Sequence, residues 1–216
     1  MGACRAYSQD KMLKEHRVTH TRNAEKHTAF RVNCSKGEGN LSSLKRMLST
    51  LLVLCLSLAT LSVTTRMLYP MKYSQQIARA AQMHQMDPYF LAAIIHTESA
   101  FRSDAVSRRG AVGLMQLMQG TTQWFNARRD VPYSVQDLYD PWYNVETGAA
   151  YFVYLLQRFE DPSIALAAWN AGEGTVREWI RRGYISENTW YIPYEETRKF
   201  IEKVNHAYQI YQDIYN

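Results

Sequence analysis

Downstream of residue 73, apolar residues recur at intervals of three and four, which is the spacing of one face of a helix. The pattern predicts helices over residues 77–84, from Pro88, over 121–127, from Pro141, over 163–169, over 176–182 and from Glu195. No segment shows the strict alternation of apolar and polar residues that is typical of a half-buried strand. We therefore predict one all-α domain over residues 70–216, which is long enough to bury a core.

Three of these helices have the same start signal, an Asp followed by a Pro: Asp87-Pro88, Asp140-Pro141 and Asp161-Pro162. The Asp side chain can accept hydrogen bonds from the first free N–H groups of a helix, and Pro fits the first turn because its missing N–H is not needed there. Glycines predict a turn at residues 170–174 and a helix end at Gly183.

A second pattern lies upstream, where residues 47–63 form a run of 17 residues without a charge, preceded by Lys45-Arg46 and closed by Arg66. As a helix it would be roughly 25 Å long, against about 30 Å of bilayer hydrocarbon. We predict a signal anchor or transmembrane helix over residues 45–66, because the run has no polar face for a soluble core.

The orientation of this helix follows from the charges before it. Residues 1–46 carry 10 Lys and Arg against 4 Asp and Glu, so the N-terminus is predicted to stay in the cytoplasm. This predicts a single-pass protein of the cell membrane with its C-terminal domain on the extracytoplasmic side. A cleaved signal, which would give a secreted domain, is the alternative, because residues 57–59 loosely match a cleavage site.

Residues 1–44 are polar, basic and aperiodic, which predicts a disordered tail.

The composition of the predicted domain excludes two kinds of function. The rest of the chain after residue 46 carries 15 Lys and Arg against 16 Asp and Glu, so the folded domain does not have the positive charge of a nucleic-acid-binding protein. All three cysteines precede residue 56, so the domain has neither a thiolate metal site nor a Cys nucleophile.

A carboxylate interrupts the apolar face of the helix that starts at Pro88. Leu91, Ile94 and Ile95 define this face, and its next position is Glu98. Burial raises the pKa of a carboxyl group, which can then donate a proton near neutral pH. The alternative is a Glu at a fraying helix end, in water or bonded to Arg102. Downstream, Ser107 and Gln116 could hydrogen-bond a neutral polar ligand such as a sugar.

Three motifs resemble those of bacterial lytic transglycosylase domains of the soluble (SLT) type, which have a goose-type-lysozyme-like fold. The first is ESAFRSDAVSRRGAVGLMQLM over residues 98–118, the second is AWNAG over 168–172, and the third combines Tyr194 with the Glu196-Thr197-Arg198 triplet. They occur in the family's order, and the resemblance covers about residues 73–215. It therefore implies an all-α, lysozyme-like single domain.

The resemblance also implies a substrate and a reaction. The substrate would be peptidoglycan, cleaved at the β-1,4 bond from N-acetylmuramic acid to N-acetylglucosamine. Glu98 would act first as the acid and then as the base, so that the muramic C6 hydroxyl closes a 1,6-anhydro ring. The sugar-binding residues would be Ser107, Gln116, Met118, Asn170, Tyr194 and Glu196, with Tyr194 and Glu196 closing the site near the acid.

The sequence departs from the family pattern at two positions: Gln119 stands where Pro is usual, and Trp169 where Tyr is more common. Gln119 predicts a looser loop, and Trp169 offers a stacking surface with an N–H in place of a hydroxyl. No metal or cofactor is expected. His84 is interpreted as a packing residue because no second ligand lies at metal-binding spacing. We expect a monomer.

Two other functions remain open. A lysozyme-type hydrolase needs a second carboxyl group about 5 to 9.5 Å from the first. In sequence only Asp104 is close to Glu98, and it is expected to be solvated, whereas Glu146, Glu173 and Glu196 could approach only through folding. The other function is a wall-binding module that has lost its chemistry.

Overall fold

The computed structural model describes residues 40–216, and the chain divides into two units, Met1–Thr64 and Thr65–Asn216. Most of the predicted disordered tail therefore lies outside the described residues. Its last part, residues 40–44, is helical. The prediction was wrong there because nothing between residues 40 and 68 stops a helix: this stretch contains neither glycine nor proline.

The first helix, α1, spans Asn40–Leu68 and covers the predicted anchor. It has 29 residues, and its most apolar window has a mean hydropathy of 2.0 and contains no buried residue. By length and composition α1 can cross a membrane, a property that it would share with a signal sequence.

The second unit contains seven further α-helices and one 3-10 helix. These are α2 Ser74–His84, α3 Pro88–Ser99, α4 Gln119–Arg129, the 3-10 helix Val135–Tyr139, α5 Pro141–Phe159, α6 Pro162–Ala171, α7 Glu173–Arg181 and α8 Glu195–Tyr215. The helices predicted from the apolar pattern are confirmed, with ends displaced by one to three residues in most cases. The 3-10 helix was not predicted.

The three Asp-Pro starts have the predicted geometry. Asp87 accepts from the N–H groups of Tyr89 and Phe90, Asp140 accepts from one N–H and Asp161 from two. Pro is the first residue of each helix. The five-residue turn predicted at 170–174 was wrong: Gly172, with a φ of 90°, is the only residue between α6 and α7. One glycine is enough because it adopts a positive φ without steric cost.

Strands are present, although none was predicted. Ala111–Val112 (β1) pairs antiparallel with Leu117–Met118 (β2), and Ile185–Ser186 (β3) pairs with Thr189–Trp190 (β4). Each strand has two residues, which is too short for an alternating pattern to be seen in the sequence.

The core lies around α3, which packs against α8 and α2. All residues from 91 to 95 are buried, so α3 is covered on more than the one face that its periodicity indicated. A second layer is formed by α5 against α6, and α6 also contacts α7 and α8. The largest fully buried side chains include Leu91, Ile94, Ile95, Phe152, Leu155, Leu166 and Tyr211.

Candidate active site

Glu98 lies in the last turn of the central helix α3. The two residues that follow this helix, Ala100 and Phe101, have φ values of 50° and 62°. Left-handed conformations are costly for residues other than glycine and persist where packing holds them; here Phe101 is buried. This sharp end of α3 leaves Glu98 partly buried at the edge of a cleft instead of continuing the helix past it.

Burial raises the pKa of the Glu98 carboxyl group from 4.5 to about 7. A hydrogen bond acts in the opposite direction: the indole N–H of Trp169 donates to Glu98 Oε1 at 2.7 Å and favours the ionised form. The alternative of an ion pair with Arg102 is wrong, because the Arg102 Nε donates to the carbonyl of Ser99. A carboxyl group with a pKa near 7 can be protonated at neutral pH and can then donate its proton.

Trp169 also makes the two carboxyl oxygens unequal. An indole N–H is only a donor, so Oε1 acts as an acceptor. Because a carbonyl oxygen is a better acceptor than a hydroxyl oxygen, this bond favours the proton of neutral Glu98 on Oε2. The ring of Trp169 is held by Tyr151 and Phe152 of α5, whose centroids lie at 5.6 and 6.2 Å.

The loop after β1 is fixed beneath Glu98 by buried polar groups. Ser99, next to the acid, donates to the carbonyl of Leu114 at 2.8 Å. Asn144 of α5 accepts from the N–H of Met115 at 2.8 Å and donates to the carbonyls of Val112 and Leu138. Because a buried amide must find partners, the bonds to Met115 and Val112 fix β1 and the loop after it to α5, and the bond to Leu138 fixes the 3-10 helix to the same residue.

Gln116 and Ser107 present polar atoms to this cleft. Gln116 has a φ of 49°, and its Nε2 donates to the carbonyls of Ala105 and Gly113. These bonds fix the amide orientation, and its Oε1 has no partner among residues 40–216, so that it can accept from a ligand. Ser107 Oγ accepts from the N–H of Ala111 at 3.0 Å, which leaves its proton for donation.

The opposite wall is formed where α6 meets the start of α8. Thr197 is buried, and its hydroxyl donates to Asn170 Oδ1 at 2.7 Å. This bond links the second motif to the third and leaves the Asn170 NH₂ group as a donor. At the mouth, Glu196 lies 3.7 Å from Arg109, and both side chains are exposed.

These walls enclose a cleft of about 540 Å³. It brings together six of the seven predicted site residues: Glu98, Ser107, Gln116, Met118, Asn170 and Glu196. Tyr194 is not among its lining residues, because its ring packs edge-to-face on Trp179 at 5.1 Å and its side chain is 54% exposed. Its contact with the reacting centre stays a prediction.

The structure also shows the surroundings of the other carboxylates that the sequence offered as a second acid. Asp104 is exposed, as predicted. Glu146 is bound by His84, at 3.0 Å, and by Arg129, which confirms His84 as a packing residue. Glu173 is bound by Tyr154, Arg158 and Arg177. Of the lining residues, only Glu98 and Glu196 are acidic.

Four lining residues with polar side chains were missed by the sequence prediction: Arg108, Arg109, Thr121 and Tyr151. Burial raises the pKa of Tyr151 to about 12, so its hydroxyl stays protonated. Its position next to Phe152 on α5 carried no signal beyond that of a core aromatic residue. The two arginines were visible only as a charged turn. Within residues 40–216, no three His, Cys, Asp or Glu side chains are grouped to hold a metal ion.

Comparison with known proteins identifies the family to which this chain is similar. Residues 75–192 match the family described as the transglycosylase SLT domain. The chain is 33% identical over 150 residues to the soluble lytic murein transglycosylase of Escherichia coli K12, a match that covers 66% of this chain and 23% of that protein. It is 30% identical over 175 residues to membrane-bound lytic murein transglycosylase C of Edwardsiella ictaluri, covering 66% of this chain and 47% of the relative.

A solved structure is similar as well. The 70-kDa soluble lytic transglycosylase of E. coli matches with a TM-score of 0.62 and 32% identity, over 67% of this chain and 25% of that one. This similarity confirms the all-α, lysozyme-like fold predicted from the motifs. The chain spans about a quarter of the length of the soluble relatives and about half of the membrane-bound one.

Proposed function

The chain belongs to the transglycosylase SLT domain family, and on that basis we propose that it is a peptidoglycan lytic transglycosylase that acts without a cofactor. The observation that supports this most directly is Glu98, a carboxyl group with a pKa raised to about 7 at the edge of a polar cleft. It is the kind of group that can protonate a leaving oxygen near neutral pH.

In the first step, Glu98 Oε2 donates its proton to the glycosidic oxygen as the bond from muramic C1 to that oxygen breaks. The sugar is held by Gln116 Oε1, the Ser107 hydroxyl and the Asn170 NH₂ group, with Met118 as an apolar contact. Trp169 continues to donate to Oε1 and stabilises the carboxylate that forms.

In the second step, the Glu98 carboxylate accepts the proton of the muramic C6 hydroxyl, and the C6 oxygen bonds to C1. The product is a 1,6-anhydro end, and the proton is back on Glu98, so no water is consumed. One carboxylate is sufficient because the nucleophile belongs to the substrate.

A lysozyme-type hydrolysis is the second candidate, and Glu196 is the observation that favours it. This residue lines the same cleft as Glu98 and could hold a water. Against this role, its side chain is 70% exposed and lies beside Arg109, where a carboxylate is solvated. A wall-binding module without chemistry is less well supported, because such a role does not require the pKa of Glu98 to be raised.

The membrane is the second proposed partner. α1 would anchor the chain through residues 47–63, with the catalytic domain on the extracytoplasmic side, where peptidoglycan lies. One relative is named as membrane-bound. Cleavage of this segment would instead release the domain, and the size of the mature protein in cell fractions distinguishes the two outcomes.

Digestion of purified cell-wall sacculi followed by mass spectrometry tests the reaction. We expect muropeptides with 1,6-anhydro ends, each lighter by one water than the hydrolysed form. Products with free reducing ends would support the hydrolase, and binding of glycan strands without any release would support the wall-binding module.

A further inference from the structure

Two adjacent arginines stand at one edge of the cleft. Arg108 and Arg109 lie on the turn between Ser107 and Gly110, and both line the cleft. The turn is well defined: Ser107 N–H donates to Ala111, Gly110 N–H donates to Ser107, and Gly110 has a φ of 80°. The structure therefore fixes the backbone from which the two arginine side chains reach the edge of the cleft.

Their charge is largely uncompensated. Arg108 makes no hydrogen bond or ion pair with any residue in the described range 40–216. Arg109 has one acidic neighbour, Glu196, at 3.7 Å, and the side chains are 80% and 70% exposed. An ion pair as exposed as this one contributes little to stability. By contrast, the other arginines in ion pairs, such as Arg129 with Glu146 and Arg181 with Glu178, have partners at 2.5 and 2.6 Å.

Their exposure indicates which part of a ligand they meet. Arg108 and Arg109 are both exposed, Arg109 to 80%, whereas Gln116 and Trp169, which a sugar ring near Glu98 would contact, are partly buried. A ligand group that reaches the two arginines must therefore project outward from the glycan. On peptidoglycan that group is the stem peptide, which leaves the muramic lactyl group and carries free carboxylates. Arginine binds carboxylates with two parallel hydrogen bonds.

On the basis of the proposed function, we propose that Arg108 and Arg109 bind the carboxylates of the stem peptide and make the enzyme prefer glycan that carries peptides. The same turn that presents Ser107 to the sugar would thus present the arginines to the peptide. Glu196 competes for Arg109 when the cleft is empty and is displaced by the peptide carboxylate.

Three soluble glycan substrates test this inference with the full-length chain in mild detergent. The first carries stem peptides with free carboxylates, the second carries the same peptides with carboxylates converted to methylamides, and the third is stripped of peptides, so that its only carboxylate is the lactyl group. We expect kcat/KM to be about fivefold higher on the first substrate than on the second. This difference should fall at high salt, because ion pairs between exposed arginines and peptide carboxylates are screened.

Arg108→Gln combined with Arg109→Gln should remove this difference by lowering kcat/KM on the first substrate alone. Arg128→Gln is the matched control, because this exposed arginine rests over the Trp124 ring at 4.7 Å and does not line the cleft. An unchanged preference in the double variant would overturn the inference. So would an equal loss on the stripped glycan, which would place the bound carboxylate on the lactyl group. If wild-type protein cleaves none of the three, the proposed function itself fails.

Discussion

The side chains of Glu98 and Trp169, 71 positions apart in the sequence, are joined by a hydrogen bond of 2.7 Å from the indole N–H to Oε1. The bond connects the last turn of α3 to α6 and lies at the edge of the cleft. Two opposing influences on one carboxyl group result: burial raises its pKa and Trp169 limits the rise.

Trp169→Phe removes the donor and keeps the ring. Because the bond favours the ionised form, the pKa of Glu98 should rise further, by roughly one unit for a charge-assisted hydrogen bond. Glycan cleavage requires the protonated acid, so the fall of kcat/KM above pH 7 should move to higher pH by that amount. Trp169→Tyr, which offers a hydroxyl donor, should shift the profile less. A profile that stays in place or moves to lower pH contradicts this assignment.

Glu98→Gln should abolish cleavage, with a loss of at least about 10³-fold, because no acid or base remains. It should also change stability in a pH-dependent way. The Glu98 pKa is about 7 in the folded chain and 4.5 without burial, so the folded state of the wild type binds the extra proton between these values. Wild-type stability therefore falls as pH rises from about 4.5 to 7, and the variant has no such loss.

Urea unfolding at pH 4, 6 and 8, followed by tryptophan fluorescence, measures this difference. All five tryptophans lie between residues 124 and 190, so the signal reports on the catalytic unit and not on α1. The variant should match the wild type at pH 4 and exceed it by up to about 3 kcal/mol at pH 8. An equal difference at all three pH values would mean that the pKa of Glu98 is not raised.

Thr197→Val keeps the shape of a buried side chain and removes the hydroxyl that donates to Asn170 Oδ1 at 2.7 Å. The Asn170 amide should then rotate, and kcat/KM should fall roughly tenfold, mainly through KM, for the loss of about one well-placed hydrogen bond. Thr197→Ser should restore most of the activity. If Thr197→Val has wild-type KM, Asn170 is not oriented by this residue.

Gly148→Ala tests the contact between α5 and the loop beneath Glu98. A Cβ at Gly148 would overlap Met115 Sδ, so this flexible but fully buried side chain would have to shift within the core. We expect a loss of about 1–3 kcal/mol in the free energy of unfolding. Gly174→Ala in α7 is the control, since nothing lies within 4 Å of its Cβ, and it should be neutral or stabilising. Adding Met115→Ala should reduce the loss caused by Gly148→Ala.

The helices and their starts could be predicted because their causes are local. The Asp87 side chain bonds to N–H groups two and three residues away, and the same geometry recurs at Asp140 and Asp161. Helix ends at a residue with positive φ were predictable only where glycine marks them, as at Gly183 after α7. The left-handed Ala100 and Phe101, which end α3 at the acid, have no local signal, because tertiary packing of Phe101 holds them.

In the candidate site, too, some features could be predicted from the sequence and others depend on folding. Its residue types were available from the motifs, and six of the seven predicted residues do share one cleft. The position of Tyr194 outside the lining of the cleft depends on Trp179, and the uncompensated charge of Arg108 depends on which acids come near it. Neither can be read from sequence spacing.

For Glu98, periodicity and motif are enough to place a carboxylate at the end of an apolar helix. Its indole donor and its polar cleft, and with them the rise of its pKa to about 7, come from folding. Desolvation and hydrogen bonding depend on atoms brought together by the fold, here from α3 and α6, whereas helix periodicity and capping depend on residues at most a few positions apart.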